Sequence, residues 1–148
     1  MKLKRVRSED IASLNSIVDL EKELFLDGGL NIWAIQPIAE YQFIYKYGQG
    51  DLCAYAILLS KVKDPKTVYL FSFGVAKNQQ GKGVGKSFLK ELRLELCSVG
   101  FTNLELTVAS ENKAALHLYK SQLEVLSKSF IKGCYGDGED REKFVFKI

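Results

Sequence analysis

The strongest constraint in this chain is a run of glycines set between an apolar strand and an amphipathic helix. Thr67–Ala76 reads TVYLFSFGVA, apolar on both alternating faces, as a strand buried at the centre of a sheet must be. Gln79-Gln80-Gly81-Lys82-Gly83-Val84-Gly85-Lys86 follows at once. Val84, Phe88, Leu89, Leu92, Leu96 and Val99 then recur at helical spacing, with Lys86, Lys90, Glu91, Arg93 and Glu95 on the other side. Gly100 is a natural stop for that helix. Beyond it Leu104, Leu106 and Val108 alternate with Glu105 and Thr107, the pattern of a half-buried strand. Strand, helix and strand at these lengths predict a βαβ unit with two parallel strands.

The flanks add antiparallel elements. Leu3–Arg7 predicts a short strand, and Ser8 is placed to cap a helix carrying Ile11, Leu14, Ile17, Val18, Leu24 and Phe25. A short helix around Ile38 and a strand over Tyr41–Tyr47 follow, with Trp33, Tyr41, Phe43, Tyr45 and Tyr47 expected to pack in the core and hairpin. Leu52–Val62 predicts a strand and Lys63–Lys66 the turn after it. Ser110 is expected to cap a helix ending near Gln122, and Val125–Ile131 and Lys143–Ile148 close the chain as two strands. The expected fold is a mixed α/β sheet of about seven strands with a central βαβ unit and about four helices. The 148 residues are expected to form a single domain.

Composition excludes several classes. Apolar residues make up 47% of the chain and charged ones 26%, which is globular rather than disordered. The net charge of +3 is too small for a dedicated nucleic-acid binder. No apolar run reaches the ~18 residues of a membrane span, and MKLKRVRSED lacks the apolar segment of a secretory signal. Cys53, Cys97 and Cys134 form no CxxC pair or disulfide framework, so a cytoplasmic setting is expected. A single histidine, His117, excludes a multi-histidine metal site, and no metal is expected.

The glycine loop is the sharp chemical feature. Alternate glycines let the backbone approach a ligand and turn its N–H groups inward, while the helix start adds unpaired donors and a positive dipole end. Together with Lys82 and Lys86 this is an anion site. Three phosphate motifs compete for it. GxxxxGK[ST] matches Gly85-Lys86-Ser87 but has Gln80 at its first glycine. GxGxxG starting at Gly81 would need glycine at Lys86. The pattern [Gln/Arg]-x-x-Gly-x-[Gly/Ala] is met in full by Gln80, Gly83 and Gly85.

Val75–Gly85 resembles the acyl-CoA pyrophosphate loop of the GNAT N-acetyltransferase superfamily. Two further segments agree. Asn112-x-x-Ala115-x-x-Leu118-Tyr119 is similar to a helix of that family, and Cys134–Asp140 is similar to the YYG-x-GED loop of its ribosomal-protein alanine N-acetyltransferase-like branch. The match spans about residues 67–148. It implies acetyl-CoA as cosubstrate, with the loop Gln80, Gly81, Lys82, Gly83, Val84, Gly85 and Lys86 wrapping the pyrophosphate. Main-chain groups over Phe73, Gly74 and Val75 would pair with the pantetheine arm, the Val75 N–H would serve the oxyanion, and Asn112 would contact the arm. Tyr119 would protonate the departing thiolate.

The activity so implied is acetyl transfer to a primary amine, on a small molecule or a peptide N-terminus, by direct attack, in a monomer or homodimer without nucleic-acid or membrane partners. The alternative is a non-catalytic acyl-CoA-binding module or sensor. Two departures from the family pattern stand out. Lys120–Val125 lacks the glycine usual after the tyrosine, and Thr107 stands where some members carry a glutamate base. Glu105, two residues earlier on the same strand face, is the candidate substitute base, directly or through a water, with bulk water the alternative.

Overall fold

The computed structural model describes residues 1–148. In chain order the elements are β1 (Lys2–Arg5), α1 (Ile11–Phe25), α2 (Ile32–Tyr41), β2 (Phe43–Gln49), β3 (Asp51–Lys61), β4 (Asp64–Val75), α3 (Val84–Ser98), β5 (Asn103–Val108), α4 (Lys113–Gln122), β6 (Glu124–Ile131) and β7 (Arg141–Lys147). The seven strands form one sheet in the order β1-β2-β3-β4-β5-β7-β6. β4 and β5 run parallel, with Thr67 opposite Asn103 and Tyr69 opposite Glu105. This is the expected parallel pair, and β1–β2, β2–β3, β5–β7 and β6–β7 are antiparallel. The mixed α/β sheet with four helices matches the expected fold class.

The chain divides into two compact units, residues 1–59 with 71–92, and residues 60–70 with 93–148. In the first, α1 and α2 bury Leu14, Ile17 and Ile35 with Ile44, Tyr55 and Ile57 of β2 and β3. The N-terminal half of α3 contributes Phe88, whose ring stacks on Tyr47 at 5.3 Å and on Phe73 at 5.1 Å. In the second, Phe144 and Phe146 of β7 stack at 5.4 Å, and Tyr119 of α4 lies 6.3 Å from Phe146. Gly100 ends α3 at φ +102°, as expected of a glycine stop.

Four local expectations are corrected. Asp10, not Ser8, caps α1, accepting a hydrogen bond from the Ser13 N–H at 3.1 Å. Ser8 is drawn away because its hydroxyl donates to Glu40. Asn112, not Ser110, caps α4, its Oδ1 accepting from the Ala115 N–H at 3.2 Å. The turn after β3 is Val62-Lys63, and Pro65 stands second in β4. A fixed φ near −65° suits the first residues of a strand, so this proline does not have to mark a turn. Trp33 and Tyr41 are exposed rather than packed, because the buried stripe of α2 runs through Ile35 and Ala39.

Burial acts on several tyrosines. It raises the pKa of Tyr55, helped by the adjacent Glu21 carboxylate, and that of Tyr119. Both phenols hold their proton more tightly folded than unfolded. Their contribution is complete below pH ~10, the unfolded value, and is lost as pH rises above it. The expected result is an unfolding free energy, from urea titrations, that is flat up to pH ~9.5 and then falls by about 3 kcal/mol per pH unit for the two phenols. A free energy unchanged at pH ~11 would mean that they ionise equally in both states.

Candidate functional site

The glycine loop adopts the left-handed backbone that its glycines permit. Gly81 and Gly83 adopt left-handed φ of +71° and +79°, a region that disfavours any side chain, and a Cβ built on either meets no atom within 4 Å. Gly83 immediately precedes α3, and Gly85 lies in its first turn. The first N–H groups of a helix have no intrahelical acceptor, so Val84, Gly85 and Lys86 offer donors together with the positive end of the helix dipole. Lys82 and Lys86 are exposed and form no ion pair. The Gln80 side chain is a brace. Its Nε2 donates to the Val75 carbonyl at 2.9 Å and its backbone N–H to the Lys77 carbonyl at 3.3 Å, tying the loop to the end of β4, so both its amide and its N–H are engaged within the loop.

On β4 the neighbouring residues are set by packing. Phe73 turns to Phe88 of α3. Gly74 turns the other way, where an added Cβ would meet Tyr55 Cε1 at 2.3 Å and Leu24 Cδ1 at 2.7 Å. Its lack of a side chain lets the Tyr55 ring lie across β4. Ala76 continues from Val75 by donating its N–H to the Cys53 carbonyl at 2.9 Å.

The second unit holds the other predicted residues. Glu105 is buried on β5 with both oxygens engaged: Lys61 Nζ is 2.6 Å from Oε2 and Lys143 Nζ 3.3 Å from Oε1. To take a proton from an amine, one of these pairs would have to open. Thr107 bonds the Tyr69 hydroxyl at 3.2 Å. Asn112 is exposed, and its Oδ1 is spent on the helix cap, which leaves its Nδ2 for a ligand. Tyr119 is 7% exposed, and burial keeps its phenol protonated. His117 faces solvent, as the sequence implied. In the Cys134–Asp140 loop the Asp140 carboxylate accepts from the Gly133 N–H at 2.8 Å, and Arg141 lies over the Tyr135 ring. A cavity of about 460 Å³ is lined by Lys2, Lys4, Lys46 and the Gly48–Leu52 turn, and none of the predicted site residues lines it.

A family model described as the acetyltransferase (GNAT) family matches residues 12–123, most of the chain. The chain belongs to the GNAT acetyltransferase family. No curated protein sequence matches it. Solved GNAT structures share its fold. The ribosomal-protein-S18-alanine N-acetyltransferase from Escherichia coli superposes with a TM-score of 0.76 at 19% identity, over 99% of this chain and 92% of that one. The IAA acetyltransferase from Bacillus cereus does so at 0.73 and 19%, over 99% of both chains. The yncA protein of Salmonella typhimurium, solved with its cofactor acetyl-CoA, gives 0.73 and 19%, over 99% of this chain and 92% of that one. At these identities the likeness is one of fold.

One group of polar residues in this GNAT chain escaped the motif reading. Glu21 is a buried carboxylate on α1, 2% exposed, bonded to Tyr55 of β3 and Ser72 of β4. A signal was present. Leu14, Ile17, Val18, Leu24 and Phe25 define the apolar stripe of α1, and Glu21 falls within it at helical spacing. A charge in such a stripe must find buried partners.

Proposed function

We propose that this protein transfers an acetyl group from acetyl-CoA to a primary amine, on a small molecule or at a protein N-terminus. The observation that carries the reading is the left-handed pair Gly81 and Gly83 opening onto the start of α3, beside the unpaired Lys82 and Lys86. Backbone donors and two cations converge there without a protein acceptor, which suits a pyrophosphate. The open space over both glycines fits the close approach of such a group. In this reading the loop anchors the cosubstrate, and backbone groups over Phe73–Val75 hold its arm, with the Val75 N–H donating to the oxygen of the reacting carbonyl. Asn112 offers its amide to the arm, and Tyr119 gives its proton to the departing sulfur. Family membership and the acetyl-CoA held by a neighbour of the same fold support the cosubstrate.

The reading is tested by calorimetry with acetyl-CoA and by thiol release from acetyl-CoA over a panel of primary amines. Binding with amine-dependent thiol release is the expected result. Binding without release by any amine would favour an acyl-CoA-binding module. No binding would overturn the reading.

A further inference from the structure

Glu21 carries a negative charge into the first unit with no cation to meet it. Its Oε1 accepts from the Tyr55 hydroxyl at 2.5 Å and from the Ser72 hydroxyl, and its Oε2 accepts from the Leu30 N–H at 3.0 Å. None of the ion pairs of the chain includes it. A buried carboxylate held by neutral donors alone is costly unless a cation or a proton completes it. One member of the cluster reaches the surface. Tyr55 is 0% exposed and Glu21 2%, but Ser72 is only half-buried. Ser72 also directly precedes the Phe73–Val75 segment of β4. Gly74, two residues on and on the same strand face, is the opening that lets Tyr55 reach this cluster.

We infer that Ser72, backed by the Glu21 carboxylate, receives the acceptor as an ammonium ion and removes its proton. This rests on the acetyl-transfer reading and deepens it, because it defines the acceptor as an amine that arrives charged. The ammonium N–H donates to Ser72 Oγ. Its proton passes to that oxygen as the Ser72 proton passes to Glu21 Oε1. The amine is left neutral with its lone pair, Ser72 is unchanged and Glu21 is protonated. Nitrogen then bonds to the acetyl carbon as the carbon–sulfur bond breaks. The surplus proton on nitrogen balances the one taken up by sulfur, and the Glu21 proton leaves to solvent. Tyr55 is the titratable group facing Glu21 from β3, and burial beside that carboxylate keeps its phenol neutral, so it stays a donor throughout. β4 presents Ser72, and the segment before α2 presents the Leu30 N–H. Glu105 has both oxygens on lysines, whereas Glu21 meets only neutral donors.

Methylamine serves as a minimal acceptor, with thiol release from acetyl-CoA read across pH ~7 to ~9.5, below the ~10.4 of an alkyl amine. Ser72→Ala leaves the bonds from Glu21 to Tyr55 and Leu30 in place, so the fold is retained. It is expected to lower kcat/KM for methylamine by about 100-fold at pH ~7 with acetyl-CoA affinity unchanged. The deficit should shrink at least tenfold by pH ~9.5, where far more of the amine is already neutral. Ser72→Thr keeps the hydroxyl and should retain most of the rate. An equal loss at every pH would mark Ser72 as structural and overturn the inference. So would no loss, or wild-type protein that binds acetyl-CoA without accelerating its reaction with methylamine. The same pH-dependent deficit in Glu105→Gln and not in Ser72→Ala would move the role to Glu105. Failure to bind acetyl-CoA at all would instead overturn the acetyl-transfer reading beneath it.

Discussion

Tyr119→Phe is expected to lower kcat by about 10²–10⁴-fold, the usual worth of a positioned general acid. The substitution keeps the ring against Phe146 and removes only the hydroxyl. Burial raises the pKa of this phenol, so it is protonated across the working pH range and able to donate. A thiol near ~8.5 is a ready recipient as it departs. Stability should change by about 1 kcal/mol, the net worth of a hydrogen bond, and acetyl-CoA affinity should not change. Single-turnover measurements place the loss on the chemical step. A phenylalanine variant with wild-type single-turnover rate would make Tyr119 a packing residue of α4 and leave the thiolate to be protonated by water.

Gly83→Val is the second large effect, and it falls on binding. At φ +79° a β-branched residue is strained by about 1–3 kcal/mol. Nothing within 4 Å blocks the new side chain, so it projects into the space above the loop, where phosphates must come close to the N–H groups of α3. CoA affinity should fall at least tenfold, or about 1.4 kcal/mol or more. Gly100→Val is the control. It carries comparable strain at φ +102°, also with open space, but at the end of α3 rather than its start. It should lower stability and leave CoA affinity intact. Equal affinity losses in the two variants would trace the effect to strain on α3 rather than to the anion site.

What the sequence determined by itself was whatever is local or periodic. Thr67–Ala76, the glycine run and the stripe of Val84, Phe88, Leu92 and Leu96 specify strand, glycine turn and helix, because each needs only neighbours within a few residues. The parallel pairing of β4 with β5 followed from the length of the crossover. The left-handed Gly81 and Gly83 were legible for the same reason, since no other residue takes that conformation cheaply.

The tertiary structure decided what depends on which distant side chain arrives. Ser8 is a good cap by type, but Glu40, 32 positions away, engages its hydroxyl and Asp10 takes the helix. Glu105 read as a free carboxylate on a strand face until Lys61 and Lys143 closed on it from β3 and β7. Glu21 became visible as a partner of Ser72 only once α1 was laid against β3 and β4, joining residues 51 positions apart. Pattern in a sequence reports the free energy of burying a face. Which polar groups meet inside that face is set by the packing of separate elements, and spacing along the chain carries no trace of it.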